Sequence, residues 1–126
     1  MKVMSIEAKK LPETAEEFKK LIASSESWFV RSLEDLDELL DSSQSPLAGV
    51  PPVALQAFKS SLKFKNGGLA HADYGSLVDH VTFKQFVQLW QYFGLSPVLF
   101  NIDNHKICVG VHICDNKQWS YCGPEC

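Results

Sequence analysis

Residues 97–114, PVLFNIDNHKICVGVHIC, decide the reading of the fold, because here the hydrophobic period changes from helical to two. Val98, Phe100 and Ile102 alternate with Leu99, Asn101 and Asp103; beyond Asn104-His105, Ile107, Val109, Val111 and Ile113 alternate with Cys108, Gly110, His112 and Cys114. A two-residue turn at Asn104-His105 pairs Ile102 with Ile107, Phe100 with Val109 and Val98 with Val111, so all of these share one face. A third strand, Gln118 to Cys122, returns through Asp115-Asn116-Lys117 and pairs Ile113 with Trp119 and Val111 with Tyr121. The expectation is a three-stranded antiparallel meander over about 97–122, followed by a short cysteine-containing tail, 123–126.

Upstream the pattern is helical. Thr14 and Glu17 fit a capping box before the stripe Ala15, Phe18, Leu21 and Ile22. Ser32 caps a second helix with Asp35 three positions on, burying Leu33, Leu36, Leu39 and Leu40. Pro51-Pro52 suits the first turn of a third helix, followed by Leu55, Phe58 and Leu62, which Asn66-Gly67-Gly68 should stop. Thr82 and Gln85 open a fourth helix with Phe83, Phe86, Val87, Trp90 and Phe93 inward and Gly94 as its stop. The fold class is therefore α+β: about four helices, within about 14–94, packed on one face of the C-terminal meander. At 126 residues the chain is read as a single domain, 1–126.

Composition narrows the function. Apolar residues make up 45% and charged residues 21%, which excludes wholesale disorder. Twelve basic against fifteen acidic residues give a net charge of -3 and no basic stripe, so general nucleic-acid binding is not expected. No secretory apolar core stands at the N-terminus and no run approaches the ~18 apolar residues of a membrane span, so the expected place is cytoplasmic, with no membrane contact. Residues 1–41 carry six basic and ten acidic side chains, and residues 42–126 six and five, so the negative excess is N-terminal. Within it, Glu34, Asp37, Glu38 and Asp41 form a face that could meet a basic protein partner.

Two constellations could carry chemistry. All four cysteines fall in the last nineteen positions. The hairpin register puts Cys108, His112 and Cys114 on the face away from the helices, with Cys122 across from Gly110, and Gly123-Pro124 could fold Cys126 back over them. In a reducing compartment these read first as free, small apolar thiols. A disulfide of Cys108 or Cys114 with Cys122 is one alternative. Zinc, held by His112 or Cys114 with Cys122 and Cys126, is another, although the C-x5-C, C-x7-C and C-x3-C spacings lack the usual short knuckle. Cys108 and His112, ~13 Å apart along one strand, cannot both bind one ion.

The other constellation is the loop 66–75, where His71 and Asp73 could act as base and orienting partner, though no nucleophile is identified. Its bland reading is a helix stop and a turn with His71 packed between. His80 and His105 read as solvent-facing, and Trp28-Phe29 as cover for one edge of the core. The functional expectation is a small intracellular binding or regulatory protein of the inhibitor, immunity or adaptor type, acting through protein–protein contacts. A small enzyme using His71 and Asp73 with a thiol, and a precursor peptide with a modified cysteine-rich C-terminus, are the alternatives.

Overall fold

The computed structural model describes residues 11–26, 28–42, 45–102, 104–110 and 113–126, and among these it holds five α-helices and four strands. Helices α1 (Ala15–Ala23), α2 (Leu33–Leu40), α3 (Pro52–Ser61) and α4 (Phe83–Tyr92) lie where capping and periodicity put them. Thr14 Oγ1 accepts from Glu17 N at 3.1 Å and Ser32 Oγ from Asp35 N at 3.3 Å. At α4 the capping box is complete: Thr82 N donates to Gln85 Oε1 at 2.8 Å and Gln85 N to Thr82 Oγ1 at 3.1 Å. Each cap satisfies backbone N–H groups that have no partner inside the helix, which is why these starts are legible in sequence.

Three expectations are corrected. Residues 97–102 are not a strand but a fifth helix, α5 (Pro97–Ile102). Ser96 caps it, its Oγ accepting from Leu99 N at 3.2 Å, and Pro97 takes the first helical position, where a missing N–H matters little. Leu99 and Phe100 are both buried while Val98 is exposed, which strand alternation cannot produce.

Asn66-Gly67-Gly68 is not the stop of α3. It turns a hairpin between β1 (Lys63–Lys65) and β2 (Gly68–Asp73), with Lys65 opposite Gly68. Asn66 and Gly67 both have positive φ, 55° and 88°, as a two-residue hairpin loop of the type favoured by Asn-Gly demands. The meander register is also different. The hairpin formed by β3 (Asn104–Gly110) and β4 (Ile113–Cys122) sets Cys108 opposite Cys114 and Gly110 opposite Ile113. Val109 and Ile113, expected to face the helices, are exposed; β3 is the edge strand in the order β1-β2-β4-β3 and pairs with β4 alone.

β4 serves two neighbours. Its first part pairs with β3, and Ser120–Cys122 pairs with Asp73–His71 of β2. Between them the chain bends sharply at Trp119, whose φ is 62°. Cys114 and Cys122, eight residues apart in sequence, have Cα atoms only 6.0 Å apart, whereas a straight strand would separate them by ~26 Å. The returning segment expected at Gln118–Cys122 therefore exists, but its partner in the sheet is chiefly β2.

Helices and sheet share one core, in which Phe18, Phe29, Leu36, Phe58, Leu69 and Phe93 lose essentially all contact with water. Trp28 and Phe29 are part of it. Arg31 joins the helical and sheet parts: its guanidinium donates to the carbonyls of Leu21, Ile22, Ser24 and Glu26 at 2.8–3.2 Å and to that of Gly67 at 3.1 Å, and lies 4.3 Å over the Phe29 ring. One planar cation thus answers the open carbonyls after α1 and pins the β1–β2 turn. Arg31→Met should lower unfolding stability by about 1–3 kcal/mol in urea titration, and Arg31→Lys, lacking the planar fork, should recover less than half of that loss.

Candidate functional site

The site begins with Tyr74, which follows β2 and is 1% exposed. Its ring meets Phe86 at 5.1 Å, Trp90 at 5.6 Å, Phe100 at 5.8 Å and Trp119 at 6.2 Å between centroids. These rings come from α4, α5 and the bend of β4. Its N–H donates to Trp119 O at 2.9 Å and its hydroxyl donates to Asn104 Oδ1. Asn104 Oδ1 also accepts from His105 N at 3.0 Å, while His105 Nδ1 accepts from Trp119 N at 3.1 Å. The left-handed residues His105 and Trp119 are therefore held by each other and by the phenol. His105 is exposed, yet it has a structural bond.

Over this lattice α4 leaves an open groove. One cleft of about 240 Å³ lies between Tyr74, Val78, Val81, Phe86 and Trp119. A second, of about 200 Å³, lies between Val87, Trp90, Pro97 and Phe100. Phe83, Phe86 and Asn104 border both. Phe83, expected inward, is 83% exposed. It points to the same side of the helix as Trp90, within about 20° by the 3.6-residue period, but two turns nearer the N-terminus, where clefts replace the core. None of the groove residues was expected as a site residue: Tyr74, Phe83, Phe86, Asn104 and Trp119 were all missed as such. The available signal was position: Phe83 follows the Thr82 cap directly, so it sits at the helix end.

His71 and Asp73 both lie on β2, two residues apart, but do not form an oriented pair. His71 is buried and its Nδ1 has no partner. Burial pulls its pKa below the usual imidazole value, against a hydrogen bond that the ring donates to the Tyr121 main-chain carbonyl and the charge of Asp73. Asp73 is occupied elsewhere: Oδ1 accepts from Gly75 N at 3.2 Å and Oδ2 meets Lys117 Nζ at 3.4 Å. The Ser61 hydroxyl is committed to the main-chain N–H and carbonyl of Asp73 at 2.8 and 3.0 Å. His80 is exposed.

The acidic face is partly used within the molecule. Asp37 pairs with Lys59 at 2.6 Å, and Glu34, Asp37, Glu38 and Asp41 are all exposed.

The cysteines are not free thiols: Cys108 is bonded to Cys126 and Cys114 to Cys122. Of the anticipated pairings, the second is present. Cys122 lies opposite His71 rather than Gly110, since β2 and not β3 is its neighbour. The Sγ atoms of Cys108, Cys122 and Cys126 all lie within 4.8 Å of one another. His112, the other anticipated ligand, falls outside the described residues. The tail is built in: Gly123 N donates to Ala70 O at 2.8 Å and Asn66 Nδ2 donates to Glu125 Oε1 at 2.8 Å. A Cβ on Gly123 would stand 2.9 Å from Leu69 O, so the tail approaches β2 as closely as a backbone can. No helix among the described residues is long and apolar enough to cross a membrane.

No protein family, characterised protein or solved structure matches this chain.

Burial pushes the Tyr74 phenol up to about 12, against the Asn104 hydrogen bond and helped by the nearby Asp73 charge. The unfolded chain releases that proton near pH 10, earlier than the folded one, so the contribution to stability is complete below about pH 10 and falls away up to about 12. The loss should reach about 2–3 kcal/mol in urea midpoints followed from pH 9 to 12. Tyr74→Phe should remove most of it, leaving the smaller slope from Tyr92, whose pKa burial also raises.

Proposed function

We propose that this chain is a small binding or regulatory protein, of the inhibitor, immunity or adaptor kind, whose anchor is the α4 groove. The observation that carries this reading is Phe83, a phenyl side chain 83% exposed between two aromatic-walled clefts. Small-molecule pockets usually measure about 300–1,000 Å³. At about 240 and 200 Å³ the two clefts are each smaller, and are sized for single side chains. The matching partner is a protein segment with two bulky apolar residues that straddle Phe83 and Phe86. Aromatic anchors in such clefts carry most of the energy of protein interfaces. The exposed carboxylates Glu34, Glu38 and Asp41, with Asp37 beside them, act as a steering surface that favours a partner with basic flanks.

The enzyme reading has less support, because His71 is buried without an orienting carboxylate and the candidate sulfur nucleophiles are bonded to each other. The precursor reading has less support because the tail is buried and tied to β3. The stapled form suits an oxidising setting; in a cytoplasmic setting the same sulfurs would be thiols. Zinc enters this reading only through that thiol form.

Panning a displayed peptide library against the full chain tests the proposal. Enriched peptides should carry two bulky apolar residues and basic flanks. Phe83→Asp, whose carboxylate at a helix N-terminus leaves α4 intact, should weaken them at least tenfold with an unchanged circular dichroism spectrum. Glu34→Lys with Asp41→Lys should slow association and flatten its salt dependence. Equal binding to Phe83→Asp would refute the groove as the anchor.

A further inference from the structure

The two disulfides need not be neighbours, since each fixes only its own pair of sulfurs. Here they are neighbours: Cys122 Sγ lies within 4.8 Å of both sulfurs of the Cys108–Cys126 bond, and Cys114 Sγ is bonded to Cys122. Three sulfurs thus form one cluster, and the fourth, that of Cys114, is bonded to a member of it. From the chemistry of that donor set we infer that the reduced chain binds one zinc ion through Cys108, Cys114, Cys122 and Cys126, so that the C-terminus has two exclusive states, disulfide-stapled and metal-stapled.

Three features support this. In a tetrahedral zinc–thiolate centre with bonds near 2.3 Å, sulfurs stand about 3.8 Å apart. Opening the bonded pairs to that spacing and closing Cys108, Cys122 and Cys126 from at most 4.8 Å takes movements of about 1–2 Å, the reach of side-chain rotation; Cys114 Sγ, bonded to Cys122 but outside that trio, swings further to complete the set. The backbones that carry the sulfurs are held independently of the sulfur bonds: Cys122 by pairing with His71, Cys108 on β3, and Cys126 by its N–H bond to Gly123 O at 3.0 Å. The site is also sheltered from water, with Cys122 0% and Cys126 2% exposed. The centre uses neither His112 nor a short cysteine knuckle, since strand pairing and the tail turn replace local spacing.

The conversion balances with a small-molecule dithiol as reductant. Two dithiols reduce the two protein disulfides, become two cyclic disulfides themselves, and leave four protein thiols. Zinc then replaces the four thiol protons, which pass to solvent. In the metal-free thiol form, Gly110 O, 3.3 Å from Cys108 Sγ and 3.2 Å from Cys126 Sγ, can accept S–H hydrogen bonds. The ion must displace these protons, so zinc affinity should rise with pH.

Native mass spectrometry of the full chain, oxidised and dithiol-reduced, with zinc added to each, tests the inference. The reduced chain should take up one zinc and the oxidised chain none, and an oxidant should expel the ion as the disulfides re-form. Cobalt in place of zinc should give the visible absorption of tetrahedral thiolate coordination. Cys108→Ser, Cys122→Ser and Cys126→Ser should each abolish stoichiometric uptake. The proposal is overturned if the reduced wild-type chain takes up no stoichiometric zinc, if uptake survives all three substitutions, or if the zinc-loaded chain has lost its near-ultraviolet circular dichroism. The wild-type measurement decides even where a variant fails to fold.

Discussion

A phenol buried at the junction of five elements governs this structure. Tyr74 follows β2, packs against α4 and α5, donates its hydroxyl to the first residue of β3, and donates its backbone N–H to the Trp119 carbonyl at the bend in β4. A hydroxyl taken from water without a partner would cost about 1–3 kcal/mol, so the position of Asn104 is dictated by the phenol and the start of β3 by Asn104. His105 and Trp119, both left-handed, follow from that anchorage. The aromatic wall of the groove is the outward side of the same packing. The binding surface and the core are thus one construction, and Phe83 is open because the helix outruns the lattice below it.

The helical elements were legible because their ends are written locally. Thr14, Ser32 and Thr82 each supply a side-chain oxygen to an N–H three residues on, a short-range event that depends on nothing else in the fold. The sheet was less legible because strand identity depends on distant partners. Alternation at Val98, Phe100 and Ile102 mimicked a strand, yet Ser96-Pro97 carried a helix-start signal that outweighs three alternating residues. Asn66-Gly67 carried two meanings, helix stop and hairpin turn; the polar–apolar–polar run Lys63-Phe64-Lys65 favours the hairpin once read with it.

The candidate site divides in the same way. That the cysteines form a cluster was visible from their crowding, but its pairing was not, since Cys122 reaches its neighbours only after the chain reverses at Trp119. His71 and Asp73 looked like a pair because they are two residues apart. Burial on β2 and the competing bonds of Asp73 separate their roles. Exposure of Phe83 was hidden because helical periodicity reports direction around an axis and says nothing of where the underlying core ends.

The Tyr74 phenol is enclosed, while Phe83 stands outside the packing around it. Aromatic nuclear Overhauser effects in the full chain test this most directly. Contacts are expected from the Tyr74 ring to Phe86, Phe100 and Trp119, with the Phe83 ring broadened by a soluble paramagnetic agent that leaves the buried Tyr74 and Phe100 rings unaffected. Strong protection of Phe83, with Tyr74 lacking contact to Trp119, would contradict it.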